Sequence, residues 1–263
     1  MELGLQDKTV IITGPAKGMG AAVTLAFARE GAKLVLAGRD TNAIEPVLKE
    51  AEAVGARAII VSCDVTSSTA CERVASEAIA FGGRIDVLVN IAGGSGPIGK
   101  TGAQTTQDEF DEIVHLNMRG PFNMIRAVAP AMQAQKYGKI VNIGGTFGMR
   151  GRAGRLAYSS SKWGLRGITK SFALELGPHN INVNCVAPGM VDGPRFRTKV
   201  VPEMAQRLGI TEDEAAAHHA SDYALKRIST GEDVAWPTLF FASDLSRQIT
   251  GVDLPVDGGW AAL

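Results

Sequence analysis

Thr9-Val10-Ile11-Ile12-Thr13-Gly14-Pro15-Ala16-Lys17-Gly18-Met19-Gly20 runs from an unbroken apolar stretch into a glycine-rich turn, and residues 21–29 continue as a helical run. Continuous apolar character at 9–12 reads as a strand buried on both faces rather than one with a wet side. Gly14, Gly18 and Gly20 let the backbone approach a bound pyrophosphate, whose charge is met by the N-terminus of the next helix, where Met19 sits. The spacing, a glycine, three residues, then Gly-x-Gly, departs from the common G-x-G-x-x-G fingerprint. Turns from strand to helix also need glycine for their own sake. Position decides the reading: the cluster lies where the first strand meets the first helix, and it predicts a nucleotide site.

Working outward, the same strand character recurs at residues 34–37, 58–61, 87–89, 140–143 and 181–186. Helical spacing lies between them, at Phe122, Ile125, Ala129 and Met132 and at Leu165, Ile168, Phe172 and Leu176. Strand and helix alternate, so right-handed crossovers predict an α/β fold: a doubly wound, mostly parallel, Rossmann-like sheet with helices on both faces. Its ligand crevice belongs at the carboxyl ends of the strands. No second core or linker is evident, so residues 1–263 read as one domain. Residues 189–228 interrupt the rhythm, being polar with Pro194 and Pro202 and a helix expected around 212–218, and they read as a substrate loop or lid.

Composition narrows the function. The 27 Lys and Arg balance 27 Asp and Glu, so a basic nucleic-acid footprint is not expected. No stretch approaches the roughly 20 apolar residues of a membrane span, and the first eight residues lack the basic-then-apolar order of a signal peptide. The expectation is a soluble cytoplasmic protein. Cys63, Cys71 and Cys185 show no metal-ligand spacing and read as buried thiols, and His115, His218 and His219 read as structural or solvated, so no metal is expected.

The second strand ends Leu36-Ala37-Gly38-Arg39-Asp40, where an NAD site usually carries a carboxylate on the adenosine ribose. Here an arginine opens the loop instead. Arg39 and Lys17 can pair with a 2′-phosphate, so NADP is expected over NAD. The plainer alternative leaves both as solvated surface charges, with Asp40 free to swing toward a ribose and NAD as the cofactor.

Tyr158-Ser159-Ser160-Ser161-Lys162 places a tyrosine and a lysine at i and i+4 on one helix face. A nearby ammonium favours the phenolate, which makes proton exchange with an alcohol or ketone feasible. With the glycine turn, Asp64, Asn90-Ile91-Ala92-Gly93, Asn117, Pro188-Gly189 and the closing segment at 250–259, the chain resembles the short-chain dehydrogenase/reductase family from about Lys8 to Gly259. The resemblance implies Tyr158 as acid/base, and Lys162 as the group that lowers the tyrosine pKa and binds the nicotinamide ribose. Asn117 would hold a water linking Lys162 to solvent. Asp64 and Val65 would touch the adenine, Asn90, Ala92 and Gly93 would line the cofactor, and Pro188, Gly189 and Val191 would border the nicotinamide. It also implies a homotetramer.

Two positions depart from the family pattern. The serine usual thirteen residues before the tyrosine is Gly145, and the threonine often found four residues past Gly189 is Gly193. In the family that serine donates to the substrate oxygen. Thr146, beside the flexible Gly144-Gly145 pair, could turn its hydroxyl into the gap, or the gap could stay empty. Arg150, Arg152, Arg155, Arg195 and Arg197 fall in segments that border the expected pocket. Their guanidinium groups suit carboxylate or phosphate recognition, and so an anionic substrate such as a keto acid or an acyl thioester, although solvent-facing or subunit-contacting roles are the plainer reading. Phe147, Met149, Met190 and Phe196 could wall the pocket. The expected function is NADP-linked interconversion of a secondary alcohol and a ketone. A same-fold epimerase or dehydratase, or a non-catalytic cofactor-binding regulator, are the alternatives.

Overall fold

In the computed structural model, which describes residues 2–262, the first half of the chain alternates strictly: β1 (Thr9–Thr13), α1 (Met19–Arg29), β2 (Lys33–Gly38), α2 (Glu45–Ala53), β3 (Ala58–Ser62), α3 (Ser68–Gly82) and β4 (Val87–Asn90). The second half continues with α4 (Gln107–Val114), α5 (Gly120–Gln135), β5 (Gly138–Ile143), α6 (Leu156–Leu176), β6 (Ile181–Pro188), α7 (Val201–Leu208), α8 (Glu212–Ser221), α9 (Gly231–Ala242) and β7 (Asp253–Val256). The strands form one parallel sheet in the order β3-β2-β1-β4-β5-β6-β7. Winding reverses between β1 and β4, where Thr13 pairs with Asn90 at the carboxyl ends. That is the place a doubly wound sheet offers for a ligand.

The strands are apolar throughout because both faces are covered. Val10, Ile12, Leu34, Leu36, Val87 and Val89 pack under α1 and α9, while Ile11, Val35, Ala37 and Leu88 pack under α3 and α5 on the other face. The helical stripes behave as their spacing predicts: Ile125, Ala129, Met132, Leu165 and Leu176 are buried. Ile168 and Phe172 are half-buried, and Phe122 is left exposed on α5. All three cysteines are free and buried.

The stretch after β6 contains more structure than the sequence promised. Besides α8, which starts at the expected Glu212, it holds a π-helical turn at Phe196–Val200 and the helix α7. Pro202 reads as a breaker in sequence, yet it lies at the start of α7, directly after that π-helical turn. Phe196, Val201, Ala205 and Ala215 form a small core of their own. Phe196 therefore packs inside this segment instead of walling the pocket as expected.

Candidate active site

The Thr13 hydroxyl accepts from the amides of Ile91 at 3.0 Å and Ala92 at 3.1 Å, drawing the loop after β4 against the turn after β1. Gly14 has φ +68°, and a Cβ there would stand 2.9 Å from the Ala92 backbone. A Cβ on Gly20 would overlap the Gly14 carbonyl oxygen. The turn is thus closed to any residue with a side chain at either position. Gly18 begins α1 with no side-chain cap, no acidic residue stands in the first turn, and the amides of Gly18 and Met19 have no acceptor among the described residues. Unpaired amides at the positive end of a helix fit a dinucleotide pyrophosphate.

At the adenosine end a Cβ on Gly38 would come within 2.9 Å of Ile44, so a carboxylate there would require repacking. Lys17 and Arg39 are exposed, and neither has an ion-pair partner among the described residues. Asp40 is engaged, accepting from the Ala43 amide at 3.1 Å. Asp64 accepts from the amide and hydroxyl of Thr66 at 2.9 and 2.7 Å, which holds its carboxyl below the ordinary range, with the charge of Arg39 adding to the effect. Val65 beside it is buried, and its carbonyl accepts from Asn123 at 3.0 Å.

Asn90 and Asn117 are tied into the framework. Asn90 donates to the Asn142 side chain at 2.9 Å inside the sheet, and its own Oδ1 is buried without a partner among the described residues. Asn117 lies on a π-helical turn at His115–Arg119, a local widening that sequence spacing does not reveal. Its Oδ1 accepts from the Gly94 amide at 2.8 Å, while its Nδ2 donates to the Gly94 carbonyl and to Ser161 Oγ, both at 3.0 Å. A Cβ on Gly93 would stand 2.9 Å from that Oδ1. Asn117 thereby locks the loop after β4 onto α6, one residue before Lys162.

Tyr158 and Lys162 lie one turn apart on α6, as their spacing predicts. Lys162 is buried, donates from Nζ to the Ile143 carbonyl at 2.9 Å, and sits 5.7 Å from the Tyr158 ring centre. The Tyr158 hydroxyl rests against bare backbone: a Cβ on Gly145 would be 2.9 Å from it. Thr146 is buried and lines the same cavity, its hydroxyl without a hydrogen-bond partner among the described residues. Pro188 and Gly189 complete the wall. The Gly189 amide donates to Val256 of β7 at 3.0 Å, the Met190 amide donates to the Tyr223 hydroxyl at 3.0 Å, and Val191 bridges to Ser229. Gly193 packs against Gly18, with the ideal Cβ 4.0 Å from the Gly18 Cα.

These walls enclose a cavity of about 280 Å³ that reaches from Tyr158 to the segment after β6. Of the five arginines singled out in sequence, Arg152, Arg155 and Arg195 line it. Arg150 instead donates to the Trp260 carbonyl and stacks on the Trp260 ring, and Arg197 pairs with Asp192. Phe147 and Met190 line the cavity, whereas Met149 faces a separate one near the C-terminus. Sequence reading passed over Trp260, Tyr223 and Ile98, which also face the cavity and carry no local signature. His219 lines it as well, 5.9 Å from the Tyr223 ring and 5.4 Å from Phe196, and burial lowers its pKa below that of an ordinary histidine.

The family model described as enoyl-(acyl carrier protein) reductase matches residues 14–261. The chain is 35% identical over 257 residues to a 3-oxoacyl-[acyl-carrier-protein] reductase, FabG, of Thermotoga maritima, covering 97% of this chain and 98% of that one. It is 38% identical over 259 residues to a 1,6-dihydroxycyclohexa-2,4-diene-1-carboxylate dehydrogenase of Acinetobacter baylyi, with 97% and 96% covered. An actinorhodin polyketide ketoreductase variant solved with NADPH superimposes at a TM-score of 0.91 with 28% identity, covering 97% of this chain and 98% of that one. With the sheet order, the glycine turn and these matches in agreement over nearly the whole length, the chain belongs to the short-chain dehydrogenase/reductase family of oxidoreductases.

Proposed function

We propose that this protein is an NADP-dependent oxidoreductase that interconverts a secondary alcohol and a ketone, with Tyr158 as acid/base. One observation carries the reading: the Tyr158 hydroxyl stands at the cavity wall with no hydrogen-bond partner among the described residues, one helical turn from the buried Lys162 ammonium. A nicotinamide held at this site would supply hydride transfer to or from the carbon that bears the reacting oxygen. In the oxidative direction the alcohol oxygen also loses its proton, and the Tyr158 phenolate takes it; in reduction Tyr158 gives it back. Lys162 favours the phenolate through its charge and would hold the nicotinamide ribose. Thr146 would be the second donor to the substrate oxygen, in place of the absent serine.

The cofactor would lie along Gly14, Lys17, Gly18, Met19 and Gly20, with Arg39, Asp64 and Val65 at its adenosine end, Asn90, Ala92 and Gly93 along its length, and Pro188, Gly189 and Val191 at the nicotinamide. NADP over NAD is supported by two unpaired cations, Lys17 and Arg39, and by the engagement of Asp40 elsewhere. One relative is named a reductase of a 3-oxoacyl group and another a dehydrogenase of a dihydroxy acid, which supports alcohol–ketone chemistry on a small molecule. Residues 1–263 would act as one cytoplasmic domain with 189–228 as its substrate lid. Exposed Phe122, Trp163 and Leu174 on α5 and α6, with Trp236 on α9, support a homotetramer, which light scattering would test. The decisive assay follows nicotinamide absorbance against a panel of ketones and alcohols with NADPH or NADP. Consumption of NADPH with a ketone is expected; no turnover with any member, or tighter binding of NADH, would overturn the proposal.

A further inference from the structure

Arg155 is 8% exposed and lies three residues before Tyr158. Its guanidinium carbon lies over the Tyr158 ring, 4.9 Å from the ring centre, and 6.0 Å from the centre of the Phe147 ring. Contact with a ring system satisfies none of the guanidinium's N–H donors. None of those donors finds an acceptor among the described residues, and Nε is fully buried and orphaned. Burial, and after it the charge of another cation, Arg195, lower its pKa from the ordinary arginine value. Glu203 and Asp222, the two carboxylates that line the same cavity, stand among five cationic side chains, and neither pairs with Arg155.

A buried arginine without a counter-ion is costly, because both the charge and the unmade hydrogen bonds are taken out of water. The cost is removed when a ligand brings the missing acceptors. We propose that Arg155, assisted by Arg195, binds a carboxylate on the substrate, so that the enzyme acts on 2- or 3-oxo acids and the matching hydroxy acids. The rim of a guanidinium matches a planar carboxylate through two parallel hydrogen bonds. Contact between Arg155 and the ring of Tyr158 places that carboxylate within a few atoms of the carbon whose oxygen meets the Tyr158 hydroxyl. A volume of about 280 Å³, just below the ~300–1,000 Å³ common for ligand sites, suits such a compact acid.

This inference rests on the alcohol–ketone reading above, and two measurements separate their fates. The first compares kcat/KM for an oxo acid and its methyl ester with NADPH, in the parent enzyme and in Arg155→Met, Arg155→Lys and Arg195→Gln. The acid-to-ester preference should fall by about 10- to 100-fold in Arg155→Met, the effect of losing a charged hydrogen-bond pair, and fall less in Arg155→Lys. An unchanged ratio, or an equal loss on both substrates, would assign Arg155 to Tyr158 alone and overturn the proposal. The second measurement needs no turnover: calorimetric titration of the full chain with benzoate and with benzamide. Benzoate should bind the parent and bind at least tenfold more weakly to Arg155→Met, with melting temperature as the folding control. Equal binding of benzoate and benzamide overturns the carboxylate site, whereas benzoate selectivity without any oxidoreductase activity overturns only the reading on which it rests.

Discussion

A serine at position 145, the residue the family usually carries, would bring its Cβ to 2.9 Å from the Tyr158 hydroxyl and 3.7 Å from the Tyr158 Cζ. The backbone is no obstacle, since Gly145 has φ 167°, an extended conformation open to any residue. The contact with Tyr158 decides the outcome. The ring has little freedom to retreat: the Arg155 guanidinium lies over it, 4.9 Å from its centre, and Phe147 meets it edge-on at 6.1 Å. Overpacking of this kind costs about 1–3 kcal/mol. If all of it falls on the placement of the hydroxyl during proton transfer, turnover drops by about 5- to 160-fold. Gly145→Ser should therefore lower kcat with NADPH affinity held, and Gly145→Ala, which adds the Cβ without a hydroxyl, should do the same. Steady-state kinetics with a direct NADPH titration reads both. A Gly145→Ser enzyme faster than its parent would refute the reasoning, because the serine would then be acting as a donor beside an undisplaced Tyr158.

Tyr158→Phe should keep NADPH binding and lose about 10²- to 10⁴-fold in turnover, the usual worth of a general acid/base. Thr146→Val should cost about 10²- to 10³-fold in kcat if its hydroxyl serves the substrate oxygen, and near-parental kinetics would return that position to a packing role. Removing Lys17 and Arg39 together should weaken NADP by about 1–3 kcal/mol per contact and leave NAD nearly unchanged, as measured by parallel titrations. Burial disfavours protonation of His219 in the folded protein, so the unfolded chain takes up the proton first. Its contribution to stability is complete above about pH 6.5 and is lost as the pH falls through the lower folded value, and His219→Gln should flatten the fall of Tm on acidification.

How much of this could be read in the sequence follows from where each feature's signal resides. The inner strands are legible because burial on both faces leaves uninterrupted apolar runs such as Leu34 to Ala37. By contrast, β7 is only half buried and carries Asp253 and Pro255, so no periodicity marks it and the family resemblance alone points to it. The helix α7 hides behind Pro202, and the π-helical turn that carries Asn117 looks like ordinary helix. The phosphate turn is legible because it is built of backbone: Gly14 and Gly20 are there for what a Cβ would strike, and that requirement is written in the residue type itself.

The substrate side is hidden for the opposite reason. Arg150, Arg152, Arg155 and Arg197 are equivalent in sequence, and only the packing around them separates the roles. Trp260, brought back by the C-terminal turn, supplies the acceptor and ring that divert Arg150, and Asp192 diverts Arg197. Arg155 alone is pressed against two aromatic rings with its donors unmet. The same long-range ties set the cavity's shape. Gly189 hangs from Val256, Met190 from the Tyr223 hydroxyl and Asp192 from the Ser229 carbonyl, so β7 and the segment before α9 hold the wall opposite Tyr158. A cofactor common to the family can be met by glycines and helix ends, which recur in recognisable order. A particular substrate is met by side chains from distant segments, and a single arginine left without a counter-ion is the kind of trace it leaves.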